Sequence, residues 1–196
     1  MPMETLSKIL GSQARIKVMR LFLLNKGKIF TNKEISQRSR VNPDALRKEI
    51  KILDSADFIK KKNTGGWYFN PNFKYIKEFE GLLVSADTLD HSSLIENFKK
   101  VGKLKLLVVS GIFIKNKDSR VDLLLVGEGI QKSKVEDSVK RLEAEIGVEI
   151  VYAMFTLKEF VYRLTMYDKL VRDILDFPHE VVLQSKELST QALKKP

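Results

Sequence analysis

Between Val108 and Gly127 the chain reads VVSGIFIKNKDSRVDLLLVG: an apolar strand, a turn of small residues, a polar loop and a second apolar strand carrying Asp122. Two carboxylates placed two residues apart on a strand point the same way, and such a pair can share divalent metals. Here the position two before Asp122 is Arg120. On a shared strand face its guanidinium occupies the place a cation needs. A +1 charge roughly 4–5 Å from a +2 ion costs about 7–8 kcal/mol at an effective dielectric near 20. The stretch has the outline of a metal site and the charge of a disabled one.

Little else offers catalytic chemistry. There is no cysteine, which excludes disulfides, thiol catalysis and cysteine-ligated zinc and fits a reducing compartment. The two histidines, His91 in a polar loop and His179, stand in unrelated contexts, so no Ser-His-Asp arrangement can be argued. Gly127-Glu128-Gly129 is not followed by Gly-Lys-Ser/Thr and is no phosphate loop. Lys115 and Lys117 with Arg120 form a basic group that could hold an anion such as a nucleotide without metal. A merely solvated loop reads the same way, and the ligand question stays open. Tyr152, Tyr162 and Tyr167 read as packing or solvent-facing residues.

The elements that position these residues follow from charge and periodicity. The chain has 196 residues and a net charge of +10. Residues 1–70 hold 15 basic and 6 acidic side chains, a net of +9, while the remaining 126 hold 20 and 19. Such asymmetry points to an N-terminal module that meets a polyanion, joined to a nearly neutral one. The longest apolar run, 106–114, is too short to span a bilayer, and the N-terminus lacks a basic start followed by an apolar core. The expectation is a cytoplasmic protein with no membrane partner.

In the first third, Ser12 caps a predicted helix over 13–24 with Ile16, Met19, Phe22 and Leu23 inward. Thr31 to Glu34 forms a capping box for a short helix ending around 38–40. Asn42-Pro43 restarts the chain as cap and first helical residue, and a third helix runs over 44–55 with Leu46, Ile50 and Leu53 inward. Its outer face carries Arg47, Lys48 and Lys51. Two strand-like runs around Asn63-Thr-Gly-Gly66 then give a β-hairpin over 60–69 with Lys60, Lys61 and Lys62 on its first strand.

Three helices and a basic hairpin in this order resemble the winged helix-turn-helix domains of small prokaryotic transcriptional regulators. The resemblance implies that the 44–55 helix enters the major groove of duplex DNA through Arg47, Lys48 and Lys51, with the hairpin lysines along the backbone. Asn32, Lys33 and Asn42 lie where helix N-termini approach phosphates.

Asn70-Pro71 opens a helix over 72–85, which either packs inside the monomer or pairs two copies as a homodimer. A polar stretch, 87–93, and a helix over 94–101 follow. From residue 103 strands and helices alternate: strands 104–113, 121–126 and 148–155, helices 134–146 and 157–175, and an edge strand at 181–183. This predicts an α/β layered domain with a mixed sheet. Residues 104–183 are similar to the minimal nucleotidyltransferase fold. That resemblance aligns Gly111 with the glycine of the family's Gly-Ser turn, puts Ile112 in place of the serine, Arg120 in place of the first aspartate, Asp122 as the second, and Glu149 where a third carboxylate belongs. It implies a degenerate, metal-free site in which Arg120 pairs with Asp122 or Glu149.

The fold expected is therefore α/β in two domains: a winged helix-turn-helix at 1–70, a helical linker at 71–103 and a nucleotidyltransferase-like domain at 104–196 without activity. The function expected is a DNA-binding transcriptional regulator using no cofactor or metal. Its rival is a nucleotidyltransferase using the winged helix as a docking arm, and a module that docks protein or RNA is a third reading.

Overall fold

The structure is a computed structural model that describes residues 2–84, 91–116, 118–186 and 188. Lys117 and most of the polar stretch at 87–93 lie outside the described residues. The chain is mixed α and β, with a three-stranded antiparallel sheet and a four-stranded mixed sheet. Contacts group it into two compact units, Met1–Thr88 with Lys140–Glu149, and Leu89–Val139 with Ile150–Pro196. No helix among the described residues is long and apolar enough to cross a membrane.

The first unit begins with α1 (Pro2–Leu10), whose Leu6 and Leu10 pack on the core. Three helices follow: α2 (Gln13–Leu24), α3 (Asn32–Ser39) and α4 (Pro43–Ser55). Each starts where a side chain satisfies orphan amides of the first turn. Ser12 accepts from the Arg15 amide, Thr31 and Glu34 cap each other's backbone, and Asn42 accepts from the Ala45 amide with Pro43 at the first helical position. Between α2 and α3, β1 (Ile29–Phe30) is too short to show a periodicity, and the sequence did not announce it. It pairs with β3 (Trp67–Phe69), which pairs with β2 (Ile59–Lys61), giving the order β1-β3-β2.

The tip between β2 and β3 turns at Gly66, at a φ of 82°. A Cβ there would lie 2.7 Å from Ile29 Cγ2, so the hairpin passes against β1 more closely than any other residue allows. Phe58 joins this sheet to α5 (Ile76–Leu83), packing edge-on against Phe69, Phe73 and Phe79 at 5.1–6.2 Å between centroids. The helix predicted over 72–85 is thus shorter at its start. Asn70 takes the residues before it through a turn, accepting from the Asn72 amide.

Arg20 is a charged side chain within this unit's interior, 2% exposed. Its Nε donates to the Leu83 carbonyl at 2.7 Å and one terminal nitrogen to the Glu145 carbonyl at 2.8 Å. Burial lowers its pKa from the ordinary value, and the negative charge of Glu145 opposes that. Both acceptors lie in the last turns of helices, α5 and α7 (Lys132–Ile146), where carbonyls carry the negative end of the helix dipole and suit a cation.

In the second unit the sheet order is β6-β5-β4-β7, formed by β4 (Lys103–Val109), β5 (Leu123–Glu128), β6 (Tyr152–Thr156) and β7 (Glu180–Gln184). The central pair β4–β5 and the pair β4–β7 are antiparallel, while β5–β6 is parallel. Leu106, Val108, Leu124 and Val126 form one core with Phe160, Val171, Ile174 and Leu175. Leu107, Val109, Leu123 and Leu125 are just as buried, so the central strands are apolar on both faces, as layered sheets require.

Several expectations change in this unit: β5 begins at Leu123 rather than 121, and β6 at Tyr152 rather than 148, which leaves Glu149 off the strand. The strand predicted to reach 113 stops at Val109, and residues Gly111–Ile114 form a 3-10 turn. The helix predicted over 157–175 is two helices, α8 (Leu157–Thr165) and α9 (Lys169–Asp176). They are broken where Tyr167 takes a φ of 53° and Asp168 caps the second. His91, expected in a loop, is the first residue of α6 (His91–Phe98), and its Nε2 lies 2.8 Å from Glu180.

Candidate nucleic-acid interface

α4 is amphipathic for the reason its sequence suggests. Leu46, Ile50 and Leu53 are buried in the core, and Arg47, Lys48 and Lys51 are exposed on the opposite side. Glu49 is buried and receives Arg15 Nε at 2.8 Å, which ties α4 to α2. Arg47 is not solitary. Its guanidinium lies 2.9 Å from Asp44, one turn earlier, in a pair that is largely exposed. An exposed pair of this kind is worth well under about 1 kcal/mol, so it steers the side chain without holding it from another anion.

The hairpin presents its three lysines differently. Lys60 binds Asp57, and that hydrogen bond raises the pKa of its ammonium. Lys61 lies over the Trp67 ring at 6.0 Å, a cation–π contact across the β2–β3 pair. Lys62 is exposed, and with Lys61, Asn63, Thr64, Tyr68, Gly27 and Ile29 it lines an open groove of about 380 Å³ beside the hairpin. Asn63, Thr64 and Tyr68 are not among the residues the sequence marks for DNA contact, and the pairing that sets Ile29 opposite Tyr68 leaves no signal in it.

The three residues expected at helix N-termini divide. Lys33 is exposed at the start of α3. Asn42 is exposed, but its side-chain oxygen is engaged in capping α4. Asn32 accepts from the Trp67 indole N–H at 2.9 Å, so it links the start of α3 to the hairpin. Its role as a positioning residue for the hairpin is carried by geometry; no spacing signal in the sequence connects residues 32 and 67.

The two capping boxes have a pH signature. In α3 the Thr31 amide and hydroxyl both donate to Glu34, and in α8 Thr156 does the same for Glu159, which holds both carboxyls below the ordinary glutamate range. A carboxyl whose pKa is depressed by folding contributes stability that is present above its unfolded pKa, about 4.3, and lost as pH falls through the folded value. Replacing Glu34 and Glu159 by glutamine should therefore lower the melting temperature at neutral pH and leave it unchanged once the medium is more acidic than the folded pKa. A deficit that persists there would assign the loss to something other than ionisation.

The region around Asp122 differs from its sequence expectation. Arg120 pairs with neither Asp122 nor Glu149. Its Nε lies 2.9 Å from Asp173 on α9, and Glu149 lies 2.8 Å from Arg38. The expectation assumed strand alternation at 120–122, but β5 begins only at Leu123, so the two-residue period does not apply there. Asp122 is 7% exposed and engaged by backbone alone. Oδ1 accepts from the Ile112 amide and Oδ2 from the Val151 amide, both at 2.9 Å. Its own amide and carbonyl bond Val151 and Ser110, and the Ser110 hydroxyl donates to the Val121 carbonyl. Gly111, at a φ of 55°, leaves room for this: a Cβ there would fall 2.0 Å from Asp122 Oδ1. The aspartate, glycine and isoleucine thus meet as a backbone clasp joining β4, β5 and the start of β6.

No family model, curated protein or solved structure matches this chain.

Proposed function

We propose that the chain is a DNA-binding transcriptional regulator of the winged-helix kind, acting in the cytoplasm, with α4 as the helix that reads the major groove and the β2–β3 hairpin as the wing along the phosphates. The observation that carries this reading is the coincidence of charge and exposure. Arg47, Lys48 and Lys51 on α4 and Lys61 and Lys62 on the hairpin are all exposed, in a segment of net +9. A helix fits the major groove, and exposed cations release counterions on meeting phosphates.

In the same proposal the second unit is nucleotidyltransferase-like in descent, without catalysis, and serves assembly or ligand sensing. What supports this is the arginine, Arg120, two positions before Asp122, together with the burial of Asp122, whose two oxygens are each held by a backbone amide inside the fold. Selection of bound sequences from a random duplex pool tests the reading. A repeated motif is expected, and failure to retain any duplex at low salt would end it. The enzymatic alternative makes a different forecast, nucleotide transfer in magnesium or manganese, and one such assay separates the two.

A further inference from the structure

The first turn of α4 carries an acid among its cations. From Pro43 to Ile52 the exposed charged side chains are Asp44, Arg47, Lys48 and Lys51. Positions three and four apart share a helix face, so Asp44 lies beside Arg47 and Lys48. Its carboxylate is not what caps the helix. Asn42 does that by accepting from the Ala45 amide, and Pro43 brings no N–H. The Asp44 carboxylate instead receives the Arg47 guanidinium, Nη1 to Oδ1 at 2.9 Å. Lys48 and Lys51 have no carboxylate paired with them among the described residues, so the acid singles out the arginine. An acid in a first turn also suits the helix dipole, but that contribution changes stability and not the choice of a base.

On a face whose affinity for DNA comes from cations, a carboxylate repels the phosphates it nears, so it lowers affinity for every sequence alike. What it can add is discrimination, which often comes from a repulsive group set beside an attractive one. An arginine side chain has many rotamers, and a partner that already sets its planar fork reduces the freedom lost on binding. The donor count allows both contacts. Of the five N–H groups one is turned to Asp44, which leaves the second on Nη1 and the two on Nη2. A bidentate pair of that kind matches O6 and N7 of guanine in the major groove. A recognition helix meets base edges with its N-terminal residues, where this pair stands. Inside a groove that excludes water, an ion pair that is weak in solvent is stronger.

We infer that Asp44 is a positioning residue that determines specificity: it sets the Arg47 guanidinium to read a guanine. This rests on the proposed function and adds the base that is read and the residue that fixes the reader. Selection from a random duplex pool with the full chain tests it, comparing the parent with Asp44→Ala, Asp44→Asn and Arg47→Ala. The parent motif should hold a guanine at one position, and Arg47→Ala should remove that preference. Asp44→Ala should relax the same position by roughly fivefold or more, the lower end of what one bidentate pair contributes, and leave the other positions as they are. Duplexes without the motif should be bound more tightly by Asp44→Ala, because an anion has left the face.

Asp44→Asn keeps an oxygen acceptor for the guanidinium without the charge, so its preference should fall between those of the parent and Asp44→Ala. All three variants should melt close to the parent, since the Asp44 and Arg47 side chains are 85% and 72% exposed. Removing both side chains should relax the guanine position no further than Arg47→Ala alone, as expected of two residues that act as one. Asp44→Ala selecting guanine as strongly as the parent, or relaxing a position other than the one lost in Arg47→Ala, would overturn the inference. So would a uniform loss at every position together with a lower melting temperature, which marks a purely structural role. In each of those cases the parent still selects a motif and the proposed function stands. A parent that selects none would end the proposed function, and this inference with it.

Discussion

Replacing Lys60, Lys61 and Lys62 together by alanine should flatten the dependence of log affinity on log salt by about two, and leave the preferred sequence unchanged. Each phosphate neutralised contributes roughly 0.9 to that slope. Three lysines set an upper bound near three, but Lys60 is bonded to Asp57 and must leave it to reach a phosphate, so Lys61 and Lys62 carry most of the effect. About two units of slope correspond to roughly tenfold less loss of affinity between about 50 and 200 mM salt. Arg47→Ala should behave differently, relaxing the preference at one base position at a cost of about 1–3 kcal/mol there. A slope that does not move would place the hairpin away from the duplex.

The second large effect concerns Gly111. Alanine there adds a carbon 2.0 Å from Asp122 Oδ1 at a φ of 55°, where a non-glycine residue already costs about 1–2 kcal/mol. Relief requires a shift that breaks the Ile112 bond to the carboxylate, and a hydrogen bond to a charged group is worth about 1.5–3 kcal/mol. Gly111→Ala should therefore destabilise by about 3–5 kcal/mol. Asp122→Asn should cost about 2–3 kcal/mol, since its amide nitrogen must face one of the two N–H donors. Arg120→Ala should cost less than about 1 kcal/mol, because the guanidinium that pairs with Asp173 is 59% exposed. Denaturant unfolding of the three variants gives the order directly. An arginine variant as damaged as the asparagine one would restore Arg120 as the partner that matters. Melting of the parent should be indifferent to manganese with a nucleoside triphosphate, as a ligand absent from the native state cannot stabilise it.

The first unit was readable because its signals are local. Ser12, the box from Thr31 to Glu34 and Asn42-Pro43 act within one helical turn, and the helix predicted over 13–24 has those bounds in the structure. What escaped depends on partners far along the chain. β1 exists through its register with Trp67 and Tyr68, and Asn32 finds its donor 35 residues away. Around Asp122 the sequence located the right residues and assigned the wrong contacts. Spacing can place Gly111 near Asp122 across a turn, but it cannot show that Arg120 finds Asp173 on a helix fifty residues later. The break at Tyr167 was hidden as well, since the apolar period runs on through it and only Asp168, as a cap, marks the new start.

The order of strands in the second sheet has a consequence during synthesis. β4 takes β5 as one neighbour soon after it is made, but its other neighbour is β7, so Val108 waits for Val181. Until then Leu106 to Val109, all buried in the finished fold, border an unpaired edge. Long-range pairing is slow, and an open apolar edge is a template for other chains. A nascent chain halted before residue 180 should accordingly depend on holdase chaperones and aggregate without them, whereas one released past residue 184 should not.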